Sequence, residues 1–303
     1  MAAPSRTLEF FHDAAAFLDA AGDRLAADPV NGSVVATVTS RARDEDAAGV
    51  ESDPALPRWW VLARGDDGSI EGLAMRTAPF APYPLFVLDF PEWAADRLTA
   101  ALLERGEVLG GVNGALPGAQ RIAEAYAAAT GATTEVAMHT RLFEVTELIA
   151  PRPTTGRLRS ATQDDLELCV EWIERFGIEA DEQAGREGGH SEIEGRDIVE
   201  RKLHNGVLWL WEEADGTPVH LTGANLASFG VTRVGPVYTP KDRRGLGYAK
   251  NAVHQVSQQF LDQGIRVCLF TDQANPVSNG VYEAIGYRPV VDMVNLSVVL
   301  PDA

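Results

Sequence analysis

The chain has 303 residues, of which 44 are acidic and 26 basic, and its formal net charge is −18. So acidic a chain, without a cluster of Lys or Arg, repels phosphate backbones, which excludes nucleic acid as a main partner. No apolar run approaches the ~18 residues that span a bilayer. The first residues do not show the basic segment followed by an apolar segment that is typical of a secretory signal. We expect a cytoplasmic protein without a membrane partner.

Hydrophobic periodicity in the first half predicts a hairpin of two strands, a third strand, a helix, a short strand, another helix and a final strand. These elements are expected at 59–63, 70–77, 85–90, 92–105, 108–112, 118–130 and 135–146. The segment 150–156 follows, where two prolines, a glycine and two threonines interrupt the apolar pattern. We therefore predict two domains, residues 1–150 and 151–303.

The second half predicts a similar order of elements after an initial helical region. A capping-box pattern at 162–165 precedes apolar residues at helical spacing, and a second helix is expected at 191–204. The later elements are expected as strands at 207–211, 219–227 and 232–239, a helix at 248–263, a strand at 265–271, a helix at 276–285 and closing strands over 287–300. The shared order favours a tandem of two related folds.

The chain offers little to a metal ion. The two cysteines, Cys169 and Cys268, are too few for a four-ligand zinc site, and the six histidines show no metal-like spacing. We expect no bound metal. Free cysteines behave as small buried hydrophobes, so both are expected in the core.

A turn with Gly245 and Gly247 joins a predicted strand to a predicted helix within residues 235–249. Glycines let a backbone approach a ligand closely, and the unpaired amides at a helix start attract phosphate. Arg243 and Arg244 add positive charge there. The spacing fits neither the Gly-x-Gly-x-x-Gly pattern nor a P-loop. The turn is a predicted diphosphate site, with a purely structural turn as the alternative.

A second motif lies after the next predicted strand, and the two together carry a resemblance. The first reads Arg-x-x-Gly-x-Ala, and the second reads Asn, a small residue, Tyr and then Gly-Tyr. They fall on Arg244, Gly247, Ala249, Asn275, Ser278, Tyr282, Gly286 and Tyr287. In this order, with one strand between them, they resemble the GNAT superfamily of acetyl-CoA-dependent N-acyltransferases. The resemblance is specific over 207–300 and only topological in the first half.

The resemblance implies an α/β (α+β) fold with two GNAT-like domains in tandem, each a twisted, mixed and mostly antiparallel sheet flanked by helices. In such domains the strand before the turn separates from the next strand, and the pantetheine arm of acetyl-CoA lies in the gap. Backbone amides at the strand end would bind that arm and polarise the thioester carbonyl. These amides belong to Val237, Tyr238 and Thr239.

The resemblance also implies roles for the two motifs. The pyrophosphate would be held by the amides of Arg244, Gly245, Leu246, Gly247, Tyr248 and Ala249. Asn275 would hydrogen-bond the pantetheine or the adjoining backbone, and Ser278 would lie beside the same arm. The first half has Pro91 and bulky neighbours where these glycines stand, so it is expected to be a degenerate copy without a CoA site.

Tyr282 is the predicted general acid. Amine attack on a thioester expels a thiolate, and a thiol has a reference pKa of about 8.5 against about 10 for a phenol. A phenol within hydrogen-bond distance would supply the proton as the bond breaks. The alternative is a core aromatic residue.

The general base is not fixed by the sequence. Glu212, Glu213 and the acids of the loop from Glu179 to Glu194 are the candidates. Residues 160–215 carry 16 acids and 5 bases, and in this fold that region covers the acceptor side, so a cationic amine is the expected acceptor.

The resulting hypothesis is an N-acetyltransferase that moves acetyl from acetyl-CoA to a primary amine by direct attack in a ternary complex. A non-catalytic acetyl-CoA sensor or scaffold and an acyltransferase of amino-sugar or thiol precursors remain as alternatives. The sequence leaves open the acceptor, the acyl-chain preference and the oligomeric state, a homodimer included.

Overall fold

The computed structural model describes residues 6–183 and 195–301. The chain divides into two compact units, one of Met1–Thr140 with Val291–Ala303 and the other of Arg141–Val290. These are not the two halves that the 150–156 segment predicts, because two strands run from one unit into the other.

The elements of the first half occur in the order strand, two helices, three strands, helix, strand, helix, strand. Their bounds are β1 Thr7–Phe11, α1 Ala14–Ala27, α2 Ser33–Ala47, β2 Trp59–Arg64, β3 Ile70–Arg76, β4 Leu85–Leu88, α3 Glu92–Glu104, β5 Gly111–Ala115, α4 Gly118–Thr130 and β6 Thr133–Val145.

The elements of the second half repeat this order, apart from two 3₁₀ turns. Their bounds are β7 Arg157–Ser160, α5 Leu166–Gln183, α6 Arg196–His204, β8 Leu208–Glu212, β9 Pro218–Ala224, β10 Val231–Tyr238, α7 Tyr248–Leu261, β11 Arg266–Asp272, α8 Pro276–Ala284 and β12 Arg288–Val299. The predicted tandem order is confirmed, and each half contains more elements than the sequence pattern indicates.

Each unit contains a mixed, mostly antiparallel sheet with flanking helices. In the first unit the strands lie in the order β1-β2-β3-β4-β5-β12, and in the second in the order β6-β11-β10-β9-β8-β7. In the first unit β4 and β5 pair in parallel, and in the second β10 and β11 do so. The predicted fold class is confirmed.

The final strand of each half completes the sheet of the other unit. Residues 293–297 of β12 pair antiparallel with β5, and the side chains of Val294, Leu296 and Val298 join the first unit's core. Phe143 and Val145 of β6 join the core of the second unit. Burial of these apolar side chains explains why the units differ from the linear halves.

Several features differ from the sequence-based expectation, which also lacked the strands β1 and β7. The helices α1 and α2 were not predicted, because alanines make up much of their buried faces and give little hydrophobic contrast. The strand expected at 108–112 begins at Gly111 instead, since the guanidinium of Arg76 binds the carbonyl of Val108 (2.5 Å) and that residue stays outside the ladder. The closing strands are the single strand β12.

Other local predictions hold. The capping box is present, with Thr162 and Asp165 bonded reciprocally, and both cysteines are free and buried. The helix expected at 191–204 is described from Arg196 onward, and residues 191–194 lie outside the described residues. Within the described part of the chain, no helix has the length and apolar character needed to cross a membrane.

Candidate active site

The strands β10 and β11 separate part of the way along their length. Their parallel pairing joins Val231–Arg233 to Arg266–Cys268, after which β10 continues to Tyr238 and β11 to Asp272. On its other edge, β10 still pairs antiparallel with β9 at Val237 and Tyr238. Because successive amides of a strand point to opposite edges, one amide in every two near the end of β10 faces the gap beside β11.

The side chains at the end of β10 are fixed by packing on opposite faces of the sheet. Val237 packs against the apolar cluster that contains Tyr282. Tyr238 is buried in a different cluster, with its ring against Trp172 of α5 and its hydroxyl donating to Glu179 (3.0 Å). Burial raises the pKa of the Tyr238 hydroxyl, and the adjacent carboxylate raises it further. The backbone of this strand end is therefore held in place on both faces.

The turn after β10 has open space around the two glycines, where a ligand is expected to approach the protein backbone. Gly245 and Gly247 have φ of +80° and +89°, and Gly247 is the N-cap of α7. A methyl group added at Gly245 would meet no atom within 4 Å, and one at Gly247 would meet only atoms at 3.7 and 3.8 Å. The first amides of α7 have no partner within the helix, and the glycine cap supplies no side-chain acceptor. The turn fits a diphosphate.

The other residues of the turn have structural contacts that the sequence did not reveal. Leu246 is exposed, and its carbonyl accepts a hydrogen bond from Thr154 (2.8 Å). Tyr248 is buried, with its hydroxyl on Glu213 (2.5 Å), and Ala249 is half-buried in the first turn of α7. The segment expected to be a linker therefore packs against the predicted phosphate loop.

Arg244 is engaged through its side chain. Its Nε donates to the carbonyl of Thr239 (2.9 Å), and the guanidinium pairs with Glu179 of α5. The hydroxyl of Thr239 lies 2.7 Å from the buried ring of His220. The guanidinium of Arg244 links the turn to the end of β10 through Thr239. The role expected from the motif, pyrophosphate binding, therefore falls to the backbone amide of Arg244.

The second motif forms the start of α8. The side-chain oxygen of Asn275 accepts from the amide of half-buried Ser278 (3.1 Å) and caps the helix, with Pro276 in the first turn. Two partners were expected for Asn275, the pantetheine and the adjoining backbone, and this hydrogen bond is to the adjoining backbone. The cap fixes the direction of α8 and with it the position of Tyr282.

Tyr282 lies in the apolar cluster of the second unit, 8% exposed, with its ring edge-on to Tyr287 at 6.0 Å. Burial raises the pKa of its hydroxyl well above the ordinary value for tyrosine. The hydroxyl therefore stays protonated throughout the neutral range. Both the packing role and the proton-donor role expected from the sequence fit this position.

The predicted candidates for the general base differ in their contacts. Glu212 is held by Arg157 and Arg159, each with an N–O distance of 2.6 Å, and these contacts lower the pKa of its carboxyl. Its carboxyl is a weaker base than that of an ordinary glutamate, and both guanidiniums already contact it. Glu213 and Glu179 accept hydrogen bonds from Tyr248 and Tyr238, respectively. The loop acids at 184–194 lie outside the described residues.

The first unit has the same elements without the gap. There β4 pairs with β5 at Leu85, Phe86 and Val87, almost to the end of β4. A methyl group added at Gly114 of β5 would overlap the carbonyl of Val87, and one at Gly118 would lie 3.0 Å from the amide nitrogen of Phe90. The strands and the turn are thus packed against each other where β10 and α7 leave open space.

The start of α3 also disfavours an anion. Pro91 is its N-cap, and Glu92 places a carboxylate in the first turn, where it repels phosphate. Among the residues that the structure describes in both units, no group of three or more His, Cys, Asp or Glu side chains is placed to hold a metal ion.

Comparison with known proteins agrees with the resemblance found in the sequence. A family model described as FR47-like protein matches residues 215–294, which include β10, the glycine turn and α8. No curated protein sequence matches the chain.

Solved structures match across almost the whole length. A Drosophila melanogaster protein has a TM-score of 0.65 at 11% identity, with 99% of this chain and 100% of that chain covered. A GCN5-related N-acetyltransferase from Sphaerobacter thermophilus has a TM-score of 0.56 at 16% identity (98% and 97% covered). A tandem GNAT protein from the clavulanic acid biosynthesis pathway has a TM-score of 0.51 at 13% identity (98% and 100% covered). The chain has the GNAT fold, and the predicted resemblance to that superfamily is confirmed.

The contrast between the two units predicts a single acetyl-CoA site per chain, in the second unit. Isothermal titration calorimetry of the full chain with acetyl-CoA should give a stoichiometry of one. A stoichiometry of two would contradict the assignment of the first unit as a closed copy.

Gly247→Val should weaken acetyl-CoA binding by about tenfold or more, because a branched side chain enters the space above the turn and resists the positive φ. Gly264→Val is a matched control: Gly264 lies just beyond the C-terminal end of α7, has φ +74° and also has open space around it. Both variants should lose stability, which thermal unfolding measures. Only Gly247→Val should lose affinity, and equal affinity losses would show that backbone strain alone is responsible.

Proposed function

We propose that the second unit transfers an acetyl group from acetyl-CoA to a primary amine. The separation of β10 from β11 beside the open glycine turn is the observation that supports this most directly. The turn and the first amides of α7 would bind the diphosphate. The free amides at the end of β10 would bind the pantetheine arm and the thioester oxygen.

Tyr282 is the proposed hydrogen-bond donor to the departing thiolate. Its raised pKa lies above the reference thiol value of about 8.5, so the proton favours the phenol over the thiolate at equilibrium. Tyr282 would therefore act mainly by donating a hydrogen bond as negative charge develops on sulfur. The amine nitrogen loses one proton to solvent as the amide bond forms and the carbon–sulfur bond breaks, and the thiolate takes up a proton from solvent after it leaves.

A cationic acceptor amine is part of the proposal. The acidic helix α5 precedes β8, and some of its carboxylates are already paired, for example Glu171 with Arg175 and Glu167 with Arg196. The charge that steers a cation is thus the net negative field of the region rather than one isolated carboxylate.

An acceptor screen tests the proposal. The full chain would be mixed with acetyl-CoA and a panel of cationic amines, neutral amines, amino sugars and thiol precursors. Thiol release would be recorded with a thiol-reactive dye, and products would be identified by mass spectrometry. N-acetylation of cationic amines supports the proposal. Binding of acetyl-CoA without turnover on any acceptor favours a sensor or scaffold, and preferred acylation of amino sugars or thiol precursors favours the other alternative.

Tyr282→Phe should lower kcat by ~10²-fold or more with little change in the KM for acetyl-CoA, because the ring is kept and only the donor is lost. Steady-state kinetics on an acceptor found by the screen would measure both constants. Burial raises the pKa of Tyr282, so its hydroxyl should keep its proton between pH 7 and about 10. Deprotonation of Tyr282 should therefore not lower the wild-type kcat over this range.

Tyr287→Phe is the matched control for this prediction. Tyr287 is fully buried in the same cluster and shares a hydrogen bond with Ser257 (2.7 Å). Loss of that hydroxyl should lower the thermal stability while kcat stays near the wild-type value. If Tyr282→Phe retains kcat within a few-fold of wild type, Tyr282 has only a packing role.

A further inference from the structure

A β-bulge lies where β10 leaves β11. Val234 pairs with Ala224 of β9 and Val237 pairs with Thr222, so Gly235 and Pro236 together oppose the single residue Gly223. The pairing of β10 with β11 ends at Arg233, one residue before the bulge begins. The bulge therefore separates the paired part of β10 from the part that faces the gap.

A buried lysine binds this bulge. Lys202 of α6 is 6% exposed, and its ammonium donates to the carbonyls of Ala224 (3.2 Å) and Gly235 (3.3 Å) and to the side-chain oxygen of Asn225 (3.4 Å). Gly235 is in the bulge and Ala224 pairs at its edge, and Pro236 has no N–H with which to donate to the ladder. The ammonium thus supplies hydrogen-bond donors to carbonyls at the irregular part of the sheet.

The residue type fits this task. The chain has three lysines against 23 arginines, so arginine is the basic residue that it uses nearly everywhere else. An ammonium is compact and directs three donors to separate acceptors, whereas a guanidinium is a planar fork. Burial of a charge is costly unless the charge is well bonded, and here it is bonded to backbone oxygens from two strands.

We propose that Lys202 is a positioning residue for the acetyl-CoA site, which it serves by holding the bulge of β10. Without the bulge, β10 would pair with β9 in a regular register that is shifted by one residue beyond Val234. A one-residue shift turns every later side chain to the other face and every later amide to the other edge. Val237 and Tyr238 would exchange faces, and the amides that face the gap would turn towards β9. This inference rests on the proposed function.

Gly223 supplies an independent way to disturb the same bulge. A methyl group added at Gly223 would lie 2.9 Å from Pro236 Cδ, 3.0 Å from the Gly235 carbonyl and 3.0 Å from Leu208 Cδ2. Its backbone does not have a positive φ, so Gly223→Ala adds a contact with the bulge without backbone strain. Gly223→Ala should therefore reproduce the effect of losing Lys202.

The test compares Lys202→Met, Gly223→Ala and the control Arg76→Met. Arg76 is a basic residue of the first unit, buried to 5% exposure, whose guanidinium also donates to backbone carbonyls, those of Tyr83 and Val108. Isothermal titration would measure acetyl-CoA affinity, and hydrogen exchange of the ligand-free proteins would report on the amides of residues 231–239. Thermal unfolding would measure stability in all three variants.

We expect Lys202→Met and Gly223→Ala to weaken acetyl-CoA binding by about tenfold or more, the scale of hydrogen bonds to a charged group. Both should speed amide exchange in residues 231–239, whereas Arg76→Met should lower only stability. Wild-type affinity and exchange in folded Lys202→Met would overturn the proposal. If Lys202→Met does not fold, Gly223→Ala decides: wild-type affinity and exchange in that variant overturn it. If the wild-type chain does not bind acetyl-CoA, the proposed function fails, and the exchange rates still decide the role of Lys202.

Discussion

The organisation of the second unit depends on the point at which β10 stops pairing with β11 and continues beside β9. Residues Val231–Arg233 pair with β11, and from Val234 onward the strand pairs with β9. This frees main-chain donors at the sheet's interior without burying them against another strand. The glycine turn then directs the first amides of α7, so strand and helix donors come from one continuous stretch of chain.

The two units share their element order but differ in whether two parallel strands separate. In the first unit β5 approaches β4 so closely at Gly114 that even a methyl group would overlap Val87. In the second, β10 continues from its last pair with β11 at Arg233 to Tyr238, and the turn that follows contains Gly245 and Gly247. Element order is therefore shared, while local packing between two neighbouring strands determines whether a ligand has room.

The local geometry of the glycine turn and of the Asn275 cap follows from the sequence more directly than the boundaries of the units do. The glycine turn and the Asn275 cap depend on neighbouring residues, so their geometry follows from local rules. Thr154 and Lys202 could not be identified in this way, because each contacts residues distant in the chain and neither lies in a recognisable motif. Single buried lysines among many arginines, and polar residues beside prolines, are the weak signals that were present.

The placement of β12 has a consequence for how the chain is made. The edge of β5 receives its partner from residues 293–297, which are synthesised after the whole of the first half. Until then the first unit presents an open strand edge, and its core lacks the side chains of Val294, Leu296 and Val298. The first unit therefore completes its fold only after β12 has been synthesised, whereas the second unit takes β6 from chain that already exists.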